Sequence, residues 1–486
     1  MVLLTLTSVV LLVITVGWLF IAYMRGKLDL FSYQVAFQAG MCVFFYIPLI
    51  LQYIYPDTKQ PYQPNGDGFT SMCLAMILFN IVYLLACKVG WKLTFADKLV
   101  PKYDFLPVSV PALAVMTVGM LVGSLAIYVL AFTPGAVGLF ESLLIGLIPS
   151  LAAFATGLAV VLVLRQWYNA LWYIILVVVF VIALLASISF TNDRRYALGV
   201  LAIGPWMLYF GLLRYRSKAA TLTVATAAAV VAFSALAIYS GFRHTLNLKS
   251  DTVNQRVSQI QSVEVGQALR ADYMVGLMLQ DTPYNSIYFI ENYPHNRPYL
   301  PLQGLAFFLS NPIPRAVFGD SKPIALGIIM SAEISAPANL GVGIIGHGWA
   351  EAGWIGVMYY AAFFGFFIGT MDRLIRARAN NPYFLAAVGC NIGNVLSLPR
   401  GETSLFMLLL AFGFVGLWVF GWATSKTAGA LARSAPPFLF GSDQFAPQGA
   451  DDAYADGYEY DEPYGDGDAA QGPTAGEPLP GLATRS

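Results

Sequence analysis

Eleven apolar runs constrain the fold of this chain more than any other feature. A helix needs about 20 apolar residues to cross a bilayer, and only helices and closed barrels satisfy their backbones there. The runs cover roughly residues 2–24, 32–55, 69–87, 108–132, 142–164, 170–190, 196–213, 219–240, 352–371, 382–398 and 404–424. Only 11% of the 486 residues are charged, against about 25% in soluble domains. The sequence therefore predicts an all-α, polytopic membrane protein with about eleven transmembrane helices.

The remaining polar residues divide the chain into four parts. Residues 1–240 would hold eight spans and residues 351–425 the last three. Between them lies a polar stretch, residues 241–350, called the outer segment from here on. Residues 426–486 are rich in Gly, Pro and acidic residues and lack apolar periodicity. Such a composition cannot offset its ordering entropy, so we expect a disordered acidic tail.

Lys and Arg in the short loops predict the orientation. Counting alternate loops gives thirteen basic residues on one side and four on the other, and cytoplasmic loops carry the excess. The thirteen are Arg25, Lys27, Lys88, Lys92, Lys98, Lys102, Arg165, Arg214, Arg216, Lys218, Arg373, Arg376 and Arg378. The four are Lys59, Arg194, Arg195 and Arg400. This count places the tail inside and the outer segment outside.

Eight arginines then fall on the side that normally holds few. They are Arg194, Arg195 and Arg400 in short turns, with Arg243, Arg256, Arg270, Arg297 and Arg315 in the outer segment. A guanidinium group stays charged and binds phosphate oxygens bidentately. This pattern favours an enzyme acting on a lipid-linked phosphate. We expect a catalytic role for Arg194, Arg195, Arg315 and Arg400, and a substrate-binding role for Arg243, Arg270, Arg297 and Lys322.

The outer segment carries local structure signals. Its residues Gln255 to Gln280 read as one or two amphipathic helices, and 302–309 as a short apolar helix. Prolines flank Arg315 and Lys322, and because proline fixes φ, these cations would project from a stiff extended ribbon.

A histidine and a glutamate near the end of this segment are further catalytic candidates. His347 and Glu351 lie four residues apart and would share one helix face, pointing into the space above the membrane. A carboxylate paired with an imidazole can deprotonate a sugar hydroxyl. Neither residue shows metal-ligand spacing, and all four cysteines lie in apolar runs. We therefore expect neither a metal ion nor another cofactor.

Two spans contain helix-weakening residues. Span 142–164 contains Gly146 and Pro149, and span 382–398 contains a Gly- and Asn-rich stretch at 389–394. Interrupted helices occur where they line a protein cavity. We expect the turns at 191–195 and 399–402, together with the proline-rich ribbon, to converge above a cavity lined by these spans.

The layout resembles that of Wzy-type O-antigen and exopolysaccharide repeat-unit polymerases, relatives of O-antigen ligases with a GT-C-like fold. The features that carry the resemblance are the eleven-span layout and four short motifs. The motifs are the Asn-Asp-Arg-Arg turn at 192–195, Pro-Ile-Pro-Arg…Ser-Lys-Pro at 312–323, Trp-Ala-Glu-Ala-Gly-Trp-Ile-Gly at 349–356, and Arg-Gly-Glu at 400–402.

The resemblance implies polymerisation of undecaprenyl-pyrophosphate-linked oligosaccharide units at the outer face of the bacterial cytoplasmic membrane. It implies lipid-linked glycans as donor and acceptor, with a flippase and a chain-length regulator as protein partners and no nucleic acid. Two alternatives stay open: ligase-type transfer of a finished glycan, and a flippase or transporter for lipid-linked sugars. A transporter should carry ionisable residues at mid-membrane, and these spans hold almost none between their ends.

Overall fold

The computed structural model describes residues 1–58, 60–100, 103, 108–132, 141–190, 194–243, 270–313, 315–336, 340–401 and 403–434. All of them belong to one compact unit, Met1–Ala435. The last helix continues to Ser434, so the first nine residues of the expected tail, 426–434, are helical. The rest of that tail lies outside the described residues.

Every regular element in the described ranges is helical. The first half contains Val2–Met24, Tyr33–Met41, a π-helical turn Cys42–Tyr46, Ile47–Ile54, Gly68–Lys92, Ala96–Leu99, Val110–Phe132, Glu141–Arg165, Ala170–Phe190 and Arg194–Gly211. The second half contains Leu213–Tyr215, Lys218–Arg243, Ala271–Met278, Thr282–Asn292, Gln303–Ser310, Arg315–Phe318, Gly319–Ser321, Leu326–Glu333, Ile344–Ala377, Pro382–Gly389, Ile392–Ser397 and Thr403–Ser434. The predicted all-α class is confirmed for this part of the chain.

Nine helices within these ranges are long and apolar enough to cross a membrane. Two of the eleven predicted spans are not among them. Run 196–213 forms helix Arg194–Gly211, and run 382–398 forms two short helices, Pro382–Gly389 and Ile392–Ser397. The chain therefore has the character of a multi-pass helical membrane protein, whereas the count of eleven and the GT-C-like arrangement stay predictions.

Helix Glu141–Arg165 lies at the centre of the bundle, with most of its residues from 146 onward buried. The predicted interruption at Pro149 is wrong, because the helix continues through it. The hydroxyl of Ser124, on a neighbouring helix, donates to the Ile148 carbonyl at 2.9 Å.

The loops that hold the thirteen basic residues meet at one end of the bundle. The contacts between them are Arg214 with Asp29, Arg376 with the Gly26 carbonyl, Arg373 with Asp97, and Arg165 with the Val108 carbonyl. These pairs connect all five loops to one another. The count of basic residues in alternate loops requires this, because it assigned all five to the same side of the membrane. The assignment of this end to the cytoplasm remains a prediction.

The outer segment packs onto the opposite end through helix Thr282–Asn292. The Glu291 carboxylate accepts the Tyr62 hydroxyl and the backbone N–H groups of Gly66 (3.2 Å) and Gly68 (3.1 Å). Of the helices expected within Gln255 to Gln280, the described part is Ala271–Met278, which is helical. The short apolar helix expected at 302–309 is confirmed as Gln303–Ser310. We call Gln303–Ser310 the cover helix.

Candidate functional site

The helix Ile344–Ala377 is broken near its start and folds back on itself. Ala352 has φ −157° and ψ 27°, and Gly353 has φ 58° and ψ −131°, a backbone that only glycine adopts readily. In a continuous helix Gly348 and Gly356 would lie about 12 Å apart. Here a Cβ on Gly356 would overlap the Gly348 carbonyl oxygen. We call this element the broken helix; its first arm is 344–351 and its second begins at 354.

Backbone hydrogen bonds hold the first arm against the turn before the last helix. The N–H groups of Gly343 and Ile344 donate to the carbonyls of Arg400 (3.1 Å) and Pro399 (3.0 Å). On the other side, the Ser286 hydroxyl donates to the Val342 carbonyl at 2.8 Å. The expected site residues around 347 and 400 are therefore fixed beside each other by main-chain contacts.

Four side chains and one glycine form a buried cluster at this junction. His347 Nδ1 lies 3.4 Å from Glu351 Oε1, and the two side chains are 0% and 5% exposed. The same carboxylate oxygen accepts the Tyr360 hydroxyl at 2.8 Å and the Gly304 N–H at 2.6 Å. On the other side of the ring, His347 Nε2 lies 3.5 Å from Ser404 Oγ. We call His347, Glu351, Tyr360, Ser404 and Gly304 the buried cluster.

Gly304 brings the cover helix directly onto this cluster. A Cβ at this position would lie 2.5 Å from both Ser404 Oγ and Tyr360 Oη, and 2.6 Å from His347 Cε1. No side chain fits in that space, so the close approach requires glycine. The cover helix thus closes one side of the cluster and supplies a backbone hydrogen bond to its carboxylate.

The order of groups is carboxylate, imidazole and hydroxyl, which is an arrangement suited to moving a proton. Glu351 faces one ring nitrogen of His347, which can orient the imidazole so that the other nitrogen serves as a base. The predicted proximity of His347 and Glu351 is present in the structure. The expectation that both point into open space is wrong, because the broken helix and the cover helix enclose them.

Arg195 lies against the last helix, which also carries Ser404 of this cluster. Its side chain is 8% exposed, and its guanidinium carbon is 4.1 Å from the Phe406 ring centroid and 5.0 Å from that of Tyr196. Gly401 also packs closely on the Phe406 ring, since a Cβ at this glycine would overlap the ring. The start of helix Arg194–Gly211 and the turn at 399–401 therefore converge at Phe406, two residues after Ser404. The cavity expected beneath the two turns and the ribbon stays a prediction.

Arg400 is partly exposed in the turn that holds the first arm. Its guanidinium carbon lies 5.9 Å from the Phe44 ring centroid, and within the described residues this group makes no hydrogen bond or ion pair. A partly exposed guanidinium is of the type that binds anionic ligands bidentately.

Several of the predicted site residues fall where their side chains are not described. The backbone of Arg194 begins a helix and that of Arg243 ends one, and Arg256 lies outside the described residues. Arg315 begins the helical turn Arg315–Phe318. The expectation of an extended ribbon there is wrong, because a helical turn and a 3-10 turn follow the prolines.

The other predicted binding residues have local contacts or lie on the surface. Lys322 Nζ donates to the carbonyls of Asn311 (3.0 Å) and Ile313 (2.7 Å), which stabilises the turn instead of leaving the ammonium projecting. Arg297 pairs with Glu333 at 3.3 Å and is half exposed. Arg270 is exposed at the start of helix Ala271–Met278. None of these contacts links the three residues to the buried cluster.

Sequence reasoning missed three members of the cluster. Tyr360 lies nine residues after Glu351, which in a straight helix is the opposite face and about 13 Å along the axis. Ser404 is distant in sequence, and Gly304 contributes only its backbone and its lack of a side chain. The Gly-rich stretch 346–356 was the one available signal that this helix folds back.

Comparison with known proteins adds no relatives, since no family model, curated protein or solved structure matches this chain. Among the described residues, no group of three or more His, Cys, Asp or Glu side chains could hold a metal ion.

Proposed function

We propose that this protein is a membrane glycosyltransferase that polymerises polyprenyl-pyrophosphate-linked oligosaccharide units at the outer face of the cytoplasmic membrane. The observation that carries the proposal is the buried His347–Glu351 pair, with Arg400 in the turn that is bonded to its arm and Arg195 against Phe406 of the helix that carries Ser404. A buried base with two arginines on neighbouring segments suits a reaction that needs proton removal and an anionic leaving group.

The proposed reaction uses the two kinds of group for separate tasks. His347, oriented by Glu351, takes the proton from the acceptor sugar hydroxyl, whose oxygen attacks the anomeric carbon of the donor glycan. The bond from that carbon to the pyrophosphate oxygen breaks, and the arginines stabilise the released polyprenyl pyrophosphate. Tyr360 and Gly304 hold the carboxylate in position through their hydrogen bonds. The reaction needs neither a nucleotide nor ATP.

The substitution Glu351→Gln tests the role of the pair. Glutamine keeps an acceptor oxygen for Gly304 and Tyr360 but removes the charge that orients the imidazole. General-base catalysis contributes about 10²–10⁴-fold, so we expect lipid-linked glycans that stop at single repeat units. The matched control is Glu333→Gln, because Glu333 also accepts a tyrosine hydroxyl in the outer segment but lies outside the cluster.

Gel analysis of lipid-linked glycans in a complemented deletion strain provides the readout. Single repeats with Glu351→Gln and a normal ladder with Glu333→Gln support the polymerase. Full-length chains that remain on the carrier would indicate a ligase, and accumulation on the inner leaflet would indicate a flippase. A normal ladder with Glu351→Gln at wild-type protein levels would exclude the cluster as the site.

Ser404 favours a second candidate, an acyltransferase or hydrolase with a serine nucleophile. Its hydroxyl completes the order Ser404–His347–Glu351 with spacings of 3.5 and 3.4 Å, looser than a working triad but of the same order of groups. Reaction of detergent-purified protein with a fluorophosphonate probe, abolished by Ser404→Ala, would support this candidate. A normal glycan ladder with Ser404→Ala would support the glycosyltransferase.

A further inference from the structure

In the described part of the outer segment before the broken helix, the exposed large apolar side chains fall in one stretch. Between residues 270 and 343, every described exposed large apolar side chain falls within 302–328. They are Leu302, Leu305, Leu309, Ile313, Val317, Ile324 and Ile328, with exposed fractions between 37% and 71%. The described side chains of 270–301 and 329–343 include none. A concentration of exposed apolar side chains like this one indicates a surface that contacts something other than water, such as a membrane or a protein.

The patch adjoins surface that belongs to the candidate membrane spans. The cover helix packs on the broken helix and on Thr403–Ser434, both of which have the length and composition of spans. Just beyond the break, the second arm exposes Ile355 and Tyr359. The apolar surface of 302–328 therefore lies beside the apolar surface of helices that lipid would surround.

The residue types in the patch favour lipid over a protein partner. All seven exposed side chains are aliphatic, whereas protein interfaces are enriched in aromatic residues, Met and Arg. Leu, Ile and Val are favourable in hydrocarbon. Lys322, whose ammonium bonds two carbonyls within this stretch, follows the pattern of membrane-surface segments that combine an apolar face with basic residues.

We propose that residues 302–328 lie at the boundary between the headgroups and the acyl chains of the outer leaflet, with their exposed aliphatic side chains inserted in the hydrocarbon, and that the cover helix is the wall between the lipid and the buried cluster. One face of the cover helix carries Leu305 and Leu309, and another places Gly304 against His347 and Glu351. The second half of this proposal rests on the proposed function. The polyprenyl carrier diffuses within the bilayer and reaches the cluster from the side, past the cover helix.

Spin labelling in nanodiscs tests the insertion without requiring activity. Labels go on Leu305→Cys, Leu309→Cys and Val317→Cys, with exposed Asn296→Cys as the aqueous control and Ile355→Cys as the lipid control. The background replaces the four native cysteines, all buried: Cys42, Cys73, Cys87 and Cys390. Collision with oxygen reports lipid, and collision with a water-soluble nickel chelate reports water.

We expect the three test labels to resemble Ile355→Cys, with oxygen collisions exceeding nickel collisions. Nickel-dominated collisions like those at Asn296→Cys would overturn the insertion, and low collision with both reagents would mean that protein covers the patch and would overturn it too. Because this readout needs no glycan transfer, it is independent of the proposed function.

A photoactivatable polyprenyl pyrophosphate in the same nanodiscs tests the sideways route. We expect it to label 302–328 more strongly than a photoactivatable phosphatidylcholine does at equal membrane concentration. Equal labelling by the two probes in protein that polymerises glycans would overturn the route and leave the function intact.

Discussion

Adding one methyl group at Gly304 should disable the site while leaving the fold in place. The new Cβ would lie 2.5 Å from Ser404 Oγ and Tyr360 Oη, whereas non-bonded heavy atoms prefer about 3.5 Å or more. Relief requires the cover helix to retreat by about 1 Å. The distance from the Gly304 backbone nitrogen to Glu351 Oε1 is 2.6 Å. It would then reach about 3.6 Å, which is too long for a hydrogen bond.

A displacement of about 1 Å in a positioned group can cost roughly 10²-fold in rate. We therefore expect Gly304→Ala to shorten the lipid-linked glycan ladder to one or a few units, with a destabilisation of about 1–3 kcal/mol from overpacking. The assay is the glycan ladder in a complemented deletion strain. Membrane protein levels and thermal melting in detergent serve as checks on folding.

The matched control is Gly276→Ala in helix Ala271–Met278. A Cβ there meets nothing within 4 Å, and replacing glycine with alanine inside a helix is favourable by about 0.5–1 kcal/mol. This variant should make a normal ladder. A normal ladder from Gly304→Ala at wild-type abundance would refute the reasoning, because the close packing around Gly304 would then have no bearing on activity.

Three other substitutions or truncations separate site residues from structural ones. The double variant Arg195→Ala, Arg400→Ala should be little worse than the more damaging single variant, because the effects of groups acting as a unit are non-additive. Ladder lengths from the two single variants and the double variant test this. If the losses of activity multiply in the double variant, the two arginines have separate roles. Arg297→Ala should leave the ladder normal, because the contact of Arg297 is a half-exposed ion pair with Glu333. Single-unit products from this variant would instead indicate that Arg297 contacts the substrate. Truncation after Arg433 should retain polymerisation, so complete loss of product from a stably inserted chain would assign the tail an essential role.

The sequence predicted most of the helices because each depends on local composition. Runs of about 20 apolar residues form helices wherever they occur in lipid, and the Gly- and Asn-rich stretch 389–394 does separate two short helices. The same reasoning failed at Pro149. Whether a proline breaks a helix depends on how the surrounding helices pack around it, and that packing is not visible in one segment.

The site was predictable only where its residues are close in sequence. The His347–Glu351 pair follows from helical spacing. The contributions of Tyr360 and Gly304 depend on a chain reversal at Gly353 and on packing across 47 residues. For Lys322, charge suggested a ligand contact, but its ammonium donates hydrogen bonds to nearby backbone carbonyls. The enclosure of the cluster is likewise a property of tertiary packing.

The main-chain pairing of the first arm with the turn at 399–402 also sets the order of events during biosynthesis. Gly343 and Ile344 bond carbonyls more than fifty residues later in the chain. An arm of eight residues is about 12 Å long, too short to be threaded across the bilayer as an independent span. When the ribosome has just added Ala377, the last residue of the broken helix, the partners Pro399, Arg400 and Ser404 have not yet been synthesised. Nascent chains arrested before residue 399 can therefore insert most of their helices but cannot complete the buried cluster, so maturation of this centre belongs to the final stage of translation.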